Sequence, residues 1–223
     1  SLPLNILAKH KNQINSLEAL LLGQCSLLDN DFENEYARML QSEYRFLKKK
    51  YDLKSILKEP LFLRMRPQNF PTIRLAQLAS LVYQSNHLFS AIKDTESYNV
   101  LKSMLSVKAN DFWNNHFTLN DEPHETTPKQ LGKPMIDIII INTIVPTVFT
   151  YGSITAQEKY KDKALRWLSE IKSEENNIIA SWRNAGVACH SAFDSQALLE
   201  LKNNYCDHKK CLDCAVGNKI LKL

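Results

Sequence analysis

The chain has 223 residues, of which 44% are hydrophobic and 23% are charged, and it contains only 5 glycines. This composition supplies enough apolar surface for a hydrophobic core, in one domain or two small ones, and the scarcity of glycine favours helices. The net charge of +4 is too small to indicate a partner by itself, and an odd number of cysteines, 5, argues against a secreted disulfide framework.

Hydrophobic periodicity predicts two helices near the start of the chain. Apolar residues recur at helical spacing over residues 14–28, and again from Phe32 to Leu47. The polar stretch Asp29–Asp31 separates the two patterns, and we expect it to cap the second helix. The stretch LKEPLFLRMRPQNFP follows, and its three prolines predict an ordered loop, because proline fixes φ and removes an amide donor.

The middle of the chain is less regular. Helical patterns cover residues 75–89 and 98–107, after which the polar stretch NDFWNNHFTLNDEPHETTPKQLGKP has none. The run from Met135 to Phe149 is rich in β-branched residues, which is typical of a strand, but its length favours a buried helix kinked at Pro146. The run is shorter than the ~20 residues that span a bilayer, so we expect no membrane partner.

Four more helices are predicted over residues 156–172, 175–184, 195–205 and 211–221, with Asp194 as the N-cap of the third. The sequence therefore predicts an all-α fold class, an irregular multi-helix domain of roughly eight to ten helices that forms a single domain over residues 1–223. We expect its core to include Leu75, Leu78, Ile139, Val145, Leu198 and Leu201.

The beginning of the chain indicates a fragment of an intracellular protein. The chain starts at Ser1 without a methionine, and no secretory signal precedes the first apolar pattern. We therefore expect a cytoplasmic protein, in which clustered cysteines favour metal binding or free thiols over disulfides.

Positive charge is concentrated between Arg45 and Arg66, where eight basic and two acidic residues give a net charge of +6. Aromatic residues are interleaved with these charges, which is typical of a surface that binds phosphates of nucleic acid. The alternative is an ordinary solvated helix face, with arginines that pair with internal carboxylates or cap helices. The candidate phosphate-binding residues are Arg64, Arg66, Arg74, Lys48, Lys49 and Lys50.

The stretch YCDHKKCLDC brings three cysteines close together in sequence. Thiolates are ligands for zinc or an iron–sulfur cluster, so Cys206, Cys211 and Cys214 form a candidate metal site, with His208 as its fourth ligand. Cys189 and His190 are alternatives for that fourth position.

The cysteine stretch also has interpretations without a metal. We expect Cys211 to lie in the first turn of a C-terminal helix, where the helix dipole lowers the pKa of a thiol and makes it reactive. If the thiols only pack, the three cysteines should form a short hydrophobic seam with Leu212 and Val216.

Motifs of a complete active site are missing from the sequence. It contains no glycine-rich phosphate loop and no His-Glu-x-x-His motif, and its spacing suggests no pair of nucleophile and base. An enzymatic function would therefore need residues outside this chain.

Four stretches together resemble an uncharacterised bacterial family, catalogued as domain of unknown function 2851. They are LEALLLGQCSLL, RMRPQNFPTIRLAQLA, GKPMIDIIIINTIVPTVFTYG and DSQALLELKNNYCDHKKCLDCAVGN, so the resemblance extends from Leu2 to Lys222. Cys25 departs from the family pattern, in which a small residue is more usual, and this favours packing for Cys25.

The resemblance implies that this chain is the C-terminal helical part of a longer protein, whose N-terminal part resembles a nuclease-like core. Two functions follow as hypotheses. The first is a helical accessory domain that binds nucleic-acid phosphates in that larger protein. The second is a structural or protein-interaction domain without a ligand of its own, partnered with the N-terminal part.

Overall fold

The computed structural model describes residues 2–56, 60–62 and 65–221. Within these residues the secondary structure is helical, and extended pairing is limited to two isolated bridges, Lys108 with Gln130 and Lys172 with Ser191. The predicted all-α multi-helix class is therefore confirmed. The chain divides into a first unit, residues 1–95 and 99–136, and a second unit, residues 96–98 and 137–223. The prediction of a single domain over residues 1–223 stays a prediction.

The first half of the chain contains the predicted helices and two that were not predicted, over residues 4–9 and 88–94, the second of which divides the helix predicted over residues 75–89. The helices of this half are α1 (Leu4–Lys9), α2 (Ile14–Gln24), α3 (Glu35–Lys50), α4 (Pro71–Gln84), α5 (Leu88–Asp94) and α6 (Tyr98–Leu105). Helix α3 is capped by Asn34, whose side chain accepts from the amides of Tyr36 and Ala37, rather than by the expected Asp29–Asp31 stretch. A 3₁₀ turn at Pro67–Asn69 precedes α4, and Pro71 occupies the first turn of α4, where its missing amide hydrogen costs nothing.

Helix α2 is the centre of the first unit. All residues from Ser16 to Gln24 are buried, which explains why its sequence is apolar on every side. One side of α2 packs with α3 and α4 in a cluster that includes Leu22, Leu40 and Trp113, and another side packs with α1 through Leu20.

The face of α4 that is buried differs from the prediction. Helix α4 packs against α2 and buries Ile73, Ala76 and Ala79, and the small side chains of the two alanines let the backbones approach closely. This arrangement leaves Leu78 41% exposed, so its predicted place in the core is wrong. Of the other predicted core residues, Val145 is buried, and the rest are half-buried: Leu75, Ile139, Leu198 and Leu201.

The stretch between Leu105 and Lys133 contains little helix, as predicted, but backbone hydrogen bonds join its two ends. The amide of Ala109 donates to the carbonyl of Lys129, and the amide of Leu131 donates to the carbonyl of Val107. A short 3₁₀ helix, Asp111–Asn114, lies inside this stretch. These bonds close the segment from 107 to 131 into a loop with joined ends.

The run from Met135 to Phe149 is helical, as favoured over a strand. Helices α7 (Lys133–Ile139) and α8 (Val145–Ile154) are joined by a π-helical segment, Ile140–Ile144, in which the amide of Val145 donates to the carbonyl of Ile140. Such a widened turn just before Pro146 accommodates a residue that lacks an amide hydrogen.

The helix from Lys133 to Ile154 has 22 residues and is thus longer than the predicted apolar run. By length and composition alone it is long enough to cross a membrane. Core helices of soluble proteins pass the same test, so no membrane placement follows from it.

The second unit continues with α9 (Glu158–Glu170), α10 (Asn177–Asn184), α11 (Ala192–Glu200) and α12 (Ala215–Leu221). Helices α8 and α9 pack against each other, and α11 contacts both α9 and α10. Helix α11 begins earlier than predicted, because Ser191 is its N-cap and Asp194 completes the capping box from the third helical position. A π-helical segment, Leu201–Cys206, extends α11.

A substitution at Gly23 tests the close approach of α2 and α3. A Cβ at Gly23 would lie 2.2 Å from Cγ of Tyr44, so the aromatic ring must move. We expect Gly23→Ala to lower the free energy of unfolding by about 1–3 kcal/mol, because overpacking outweighs the gain of about 1 kcal/mol in helix propensity. Urea denaturation followed by circular dichroism measures the change.

Gly132→Ala is the matched control, since the nearest atom to its Cβ would be Cδ of Pro134 at 3.8 Å, an ordinary contact. Equal stabilities of the wild type and Gly23→Ala would contradict the packing of Tyr44 against Gly23.

Candidate functional site

One face of α3 carries exposed basic side chains. The helix buries Ala37, Leu40, Tyr44 and Leu47, and the opposite face carries Arg38, Arg45 and Lys49, all exposed. We call these three residues the basic face of α3. Across the part of the chain that the structure describes, none of the three forms an ion pair with a carboxylate.

An aromatic ring is exposed beside this basic face. Phe46 is 60% exposed, and the Nζ atom of Lys50 lies 5.6 Å from the centre of its ring. The same Nζ lies 5.3 Å from the ring centre of Tyr51. An exposed aromatic ring therefore lies next to the cations at the C-terminal end of α3.

The predicted phosphate-binding residues are in different environments. Lys49 and Lys50 are exposed, whereas Lys48 is half-buried and donates to Oγ of Ser55 at 3.3 Å. Arg66 is exposed, and Arg64 lies outside the described residues. The lysines also stabilise the C-terminus of α3, because positive charge there interacts favourably with the helix dipole.

The guanidinium of Arg74 is half-buried and hydrogen-bonded to neighbouring side chains. Its Nη1 donates to Oε1 of Gln77 at 2.9 Å, its Nη2 donates to Asn69, and burial lowers the pKa of its guanidinium. Arg74 was among the predicted phosphate-binding residues and Arg45 began the basic segment, whereas Arg38 was not considered for the site. Helical spacing was the signal that would have grouped Arg38 and Arg45 with Lys49.

A buried carboxylate lies at the centre of the first unit. Glu18 of α2 is fully buried. Its Oε2 accepts from the hydroxyl of Tyr36 at 2.7 Å and from Nε1 of Trp113 at 3.0 Å, and its Oε1 accepts from Nδ2 of Asn110 at 2.9 Å. Burial raises the pKa of Glu18 to about 7, and the hydrogen bonds oppose that rise.

The Glu18 network has a structural role. All three donors are side chains of the protein, and they join α2 to α3 and to the segment that begins at Asn110. Phe112 stacks on Tyr36 with ring centres 4.2 Å apart and closes the network from one side. Sequence reasoning missed Glu18, although a glutamate within the apolar run LEALLLG was a usable signal.

The cysteine stretch does not build the predicted metal site. No group of three or more His, Cys, Asp or Glu side chains in the described residues is arranged to hold a metal ion. Cys206 and Cys211 are exposed, and Cys214 is buried. His208 is exposed, as is the alternative ligand His190. Zinc or an iron–sulfur cluster at these residues therefore has no support from the geometry.

The position of Cys211 corrects the predicted start of the last helix. Cys211 lies in a turn, and α12 begins at Ala215. The amide of Gly217 donates to Sγ of Cys214 at 3.5 Å, so the thiol of Cys214 acts as an N-cap. A Cβ at Gly217 would lie 2.3 Å from the carbonyl oxygen of Cys211, which explains why glycine occupies this close approach.

The three cysteines do line one apolar cavity of about 140 Å³, together with side chains of Trp182, Leu201, Tyr205, Lys210, Val216 and Ile220. Val216 lines this cavity, but Cys206 and Cys211 are exposed, so the predicted hydrophobic seam stays a prediction. Leu212 is 74% exposed and does not line the cavity, so that part of the prediction is wrong.

The pKa of Glu18 predicts a pH dependence of stability. A folded-state pKa of about 7, above the ordinary value of 4.5, means that the folded protein holds a proton that the unfolded chain has lost. The free energy of unfolding should therefore fall as pH rises from 4.5 to about 7, by up to about 1.4 kcal/mol per pH unit, and this contribution should then level off. Urea denaturation at a series of pH values measures it.

Glu18→Gln should remove this part of the slope, because glutamine does not titrate. Glu122→Gln, at an exposed glutamate, is the matched control and should keep the slope of the wild type. The assignment fails if Glu18→Gln and the wild type have the same slope between these pH values.

The exposure of the thiols predicts their reactivity. Cys206 and Cys211 should react rapidly with a disulfide reagent in the folded protein, whereas Cys189 and Cys214 should react only slowly, because they are buried. Mass spectrometry of peptides from timed samples identifies which thiol has reacted. Added zinc should leave these rates unchanged, since the ligands do not converge; strong protection of both exposed cysteines by zinc would contradict the geometry.

Comparisons with known proteins identify the family. A family model described as "Protein of unknown function (DUF2851)" matches residues 1–177. The match ends before the cysteine stretch, so the predicted extent of the resemblance is confirmed only as far as residue 177. No curated protein and no solved structure gives a significant match. Since the matched residues make up well over half of the chain, the protein belongs to the DUF2851 family of proteins of unknown function.

Proposed function

We propose that the first unit binds single-stranded nucleic acid along the basic face of α3. The observation that carries this proposal is the exposed ring of Phe46 beside Arg38, Arg45 and Lys49. Unpaired cations contact backbone phosphates without regard to sequence, and an exposed aromatic ring stacks with a base. A solvated helix face accounts for the charges alone, whereas the proposal also gives a role to the ring of Phe46, which is 60% exposed.

Single strands fit this surface better than a duplex. Bases in a duplex are stacked on each other, and a ring such as Phe46 reaches them only if a strand is open. The cations of α3 are also spread along the length of the helix. Arg38 lies near its start, and Lys50 lies at its end, against Phe46. This spread suits a strand that follows the helix axis.

This role is that of an accessory binding module. The sequence lacks the motifs of a complete active site, and the fully buried Glu18 is held by side chains of the fold. The proposal therefore leaves catalysis to another part of a larger protein, in agreement with the resemblance.

Charge removal on α3 tests the proposal. The triple variant Arg38→Gln, Arg45→Gln, Lys49→Gln should bind a fluorescent oligodeoxynucleotide at least roughly tenfold more weakly at low salt, because three phosphate contacts are lost. The slope of log K against log salt should become shallower by about 2, at about 0.7 per contact for a single strand. Fluorescence anisotropy over a salt series measures both quantities.

The triple variant Lys133→Gln, Lys159→Gln, Lys219→Gln is the matched control, since it removes the same charge from exposed lysines elsewhere. Equal losses in the two triple variants would indicate attraction by net charge alone. If the wild type does not bind at low salt, the structural or protein-interaction hypothesis replaces this one.

Phe46→Ala tests the stacking contribution separately. Loss of one stacked base should weaken binding of a single strand by about 1–3 kcal/mol and leave the weaker binding of a duplex unchanged. The same anisotropy assay with single and duplex oligonucleotides of one sequence gives the comparison. An equal effect on the two forms would mean that Phe46 does not stack with a base.

A further inference from the structure

A cavity of about 480 Å³ lies in the first unit, away from the basic face of α3. Its size is within the usual range for a small-molecule site. It lies between α4 and the loop that follows the Asp111–Asn114 turn. Its lining residues are Ile73, Gln77, Phe117, His124, Glu125, Thr127, Pro128, Lys129 and Gln130.

The walls of this cavity are held by hydrogen bonds. The carbonyl of Lys129 accepts from Nε2 of Gln77 at 3.1 Å, which ties the loop to α4. The amide of Thr127 donates to the carbonyl of Asn114 at 2.8 Å, and the carboxylate of Asp121 accepts from the amide of Phe117 at 3.0 Å. The cavity is therefore preformed rather than a gap between loose segments.

Lys129 places a buried cation in the lining. Its residue is only 6% exposed, and its Nζ lies 4.0 Å from the ring centre of Phe117 and 3.3 Å from the carbonyl oxygen of Asn114. Burial lowers the pKa of Lys129. An ammonium has three donor hydrogens, and the carbonyl of Asn114 accounts for only one of them.

Carboxylates near Lys129 are engaged elsewhere or stay at the surface. Asp121 accepts from Thr118 and lies 3.7 Å from Nε2 of His124. Glu125 is exposed, and in the described residues no carboxylate oxygen lies within ion-pair distance of Nζ of Lys129. A buried charge without an opposite charge is costly, and this cost is recovered when an anion binds.

We infer that this cavity binds a small organic monocarboxylate, whose carboxylate accepts hydrogen bonds from Lys129 while its apolar body lies against Phe117 and Ile73. One ammonium matches one negative charge. Glu125 in the lining disfavours a second negative charge, and this argues for a monocarboxylate over a phosphate. The apolar walls favour a ligand with a ring or a branched chain.

This inference is independent of the proposed nucleic-acid surface. None of Arg38, Arg45, Phe46 or Lys49 lines the cavity. A variant that loses nucleic-acid binding can therefore still be tested for carboxylate binding, and the reverse also holds.

Nuclear magnetic resonance with ¹⁵N-labelled protein tests the inference, with sodium benzoate as the probe. Benzoate should shift the backbone amide signals of residues 124–127, 129 and 130 and the side-chain amide of Gln77. We expect a Kd of about 1 mM or below, as is usual for a small ligand. Benzamide has the same shape without the charge and should bind at least roughly tenfold more weakly, since it forms no charge-assisted bond.

Variants at Lys129 test whether its ammonium binds the carboxylate of the ligand. Lys129→Met replaces most of the apolar stem, removes the ammonium and should weaken benzoate binding at least roughly tenfold. Lys129→Arg keeps the charge and should retain binding, which separates loss of charge from loss of structure if Lys129→Met does not fold. Lys133→Met, at a nearby exposed lysine, should bind like the wild type.

Several results would overturn the inference. They are the absence of benzoate shifts at about 10 mM, a concentration above the weakest useful affinity, equal binding of benzamide, or shifts located outside the cavity. Inorganic phosphate is the third probe, and tighter binding of phosphate than of benzoate would overturn the assignment of a monocarboxylate.

Discussion

The first unit depends on the burial of one carboxylate. Glu18 lies on the most buried helix of the unit, and a buried carboxylate is tolerated only where donors surround it. Its three donors come from positions far apart in the chain: Tyr36 in α3, and Asn110 and Trp113 beyond α6. The requirement for these donors fixes α3 and the start of the long loop relative to α2.

The orientation of α3 and the shape of the loop both follow from this network. Because Tyr36 faces Glu18, the opposite side of α3 faces solvent and presents Arg38, Arg45 and Lys49. Asn114, which directly follows Trp113, offers its carbonyl to the amide of Thr127 and to the ammonium of Lys129. The same buried carboxylate thus supports the two regions of the unit where positive charge is available.

These two regions use positive charge in different ways. The basic face of α3 is exposed, so its attraction is long-ranged, weakened by salt and indifferent to the identity of the anion. Lys129 is buried beside Phe117, where one ammonium acts over a short distance on a single group of defined shape. We therefore propose a polymer of phosphates for the first arrangement and a small molecule for the second.

Local patterns in the sequence determined the helical class, the paths of α2 and α3 and the helix that contains Pro146, whereas the predicted proline-rich loop lies partly outside the described residues. These features depend on periodicity and on proline chemistry between neighbouring residues, so a single sequence contains them. The sequence also indicated where positive charge is concentrated, and Lys49 and Lys50 are exposed there as predicted.

Only the tertiary structure decided which chemical groups are available. Leu78 is exposed because α4 turns its alanines toward α2, and Arg74 is engaged because Gln77 and Asn69 accept its hydrogen bonds. The thiol of Cys214 became a helix cap instead of a metal ligand, and Lys129 became a buried cation, through contacts that no local pattern specifies. Burial and hydrogen-bond partners are properties of residues distant in sequence, so they appear only when the chain is folded.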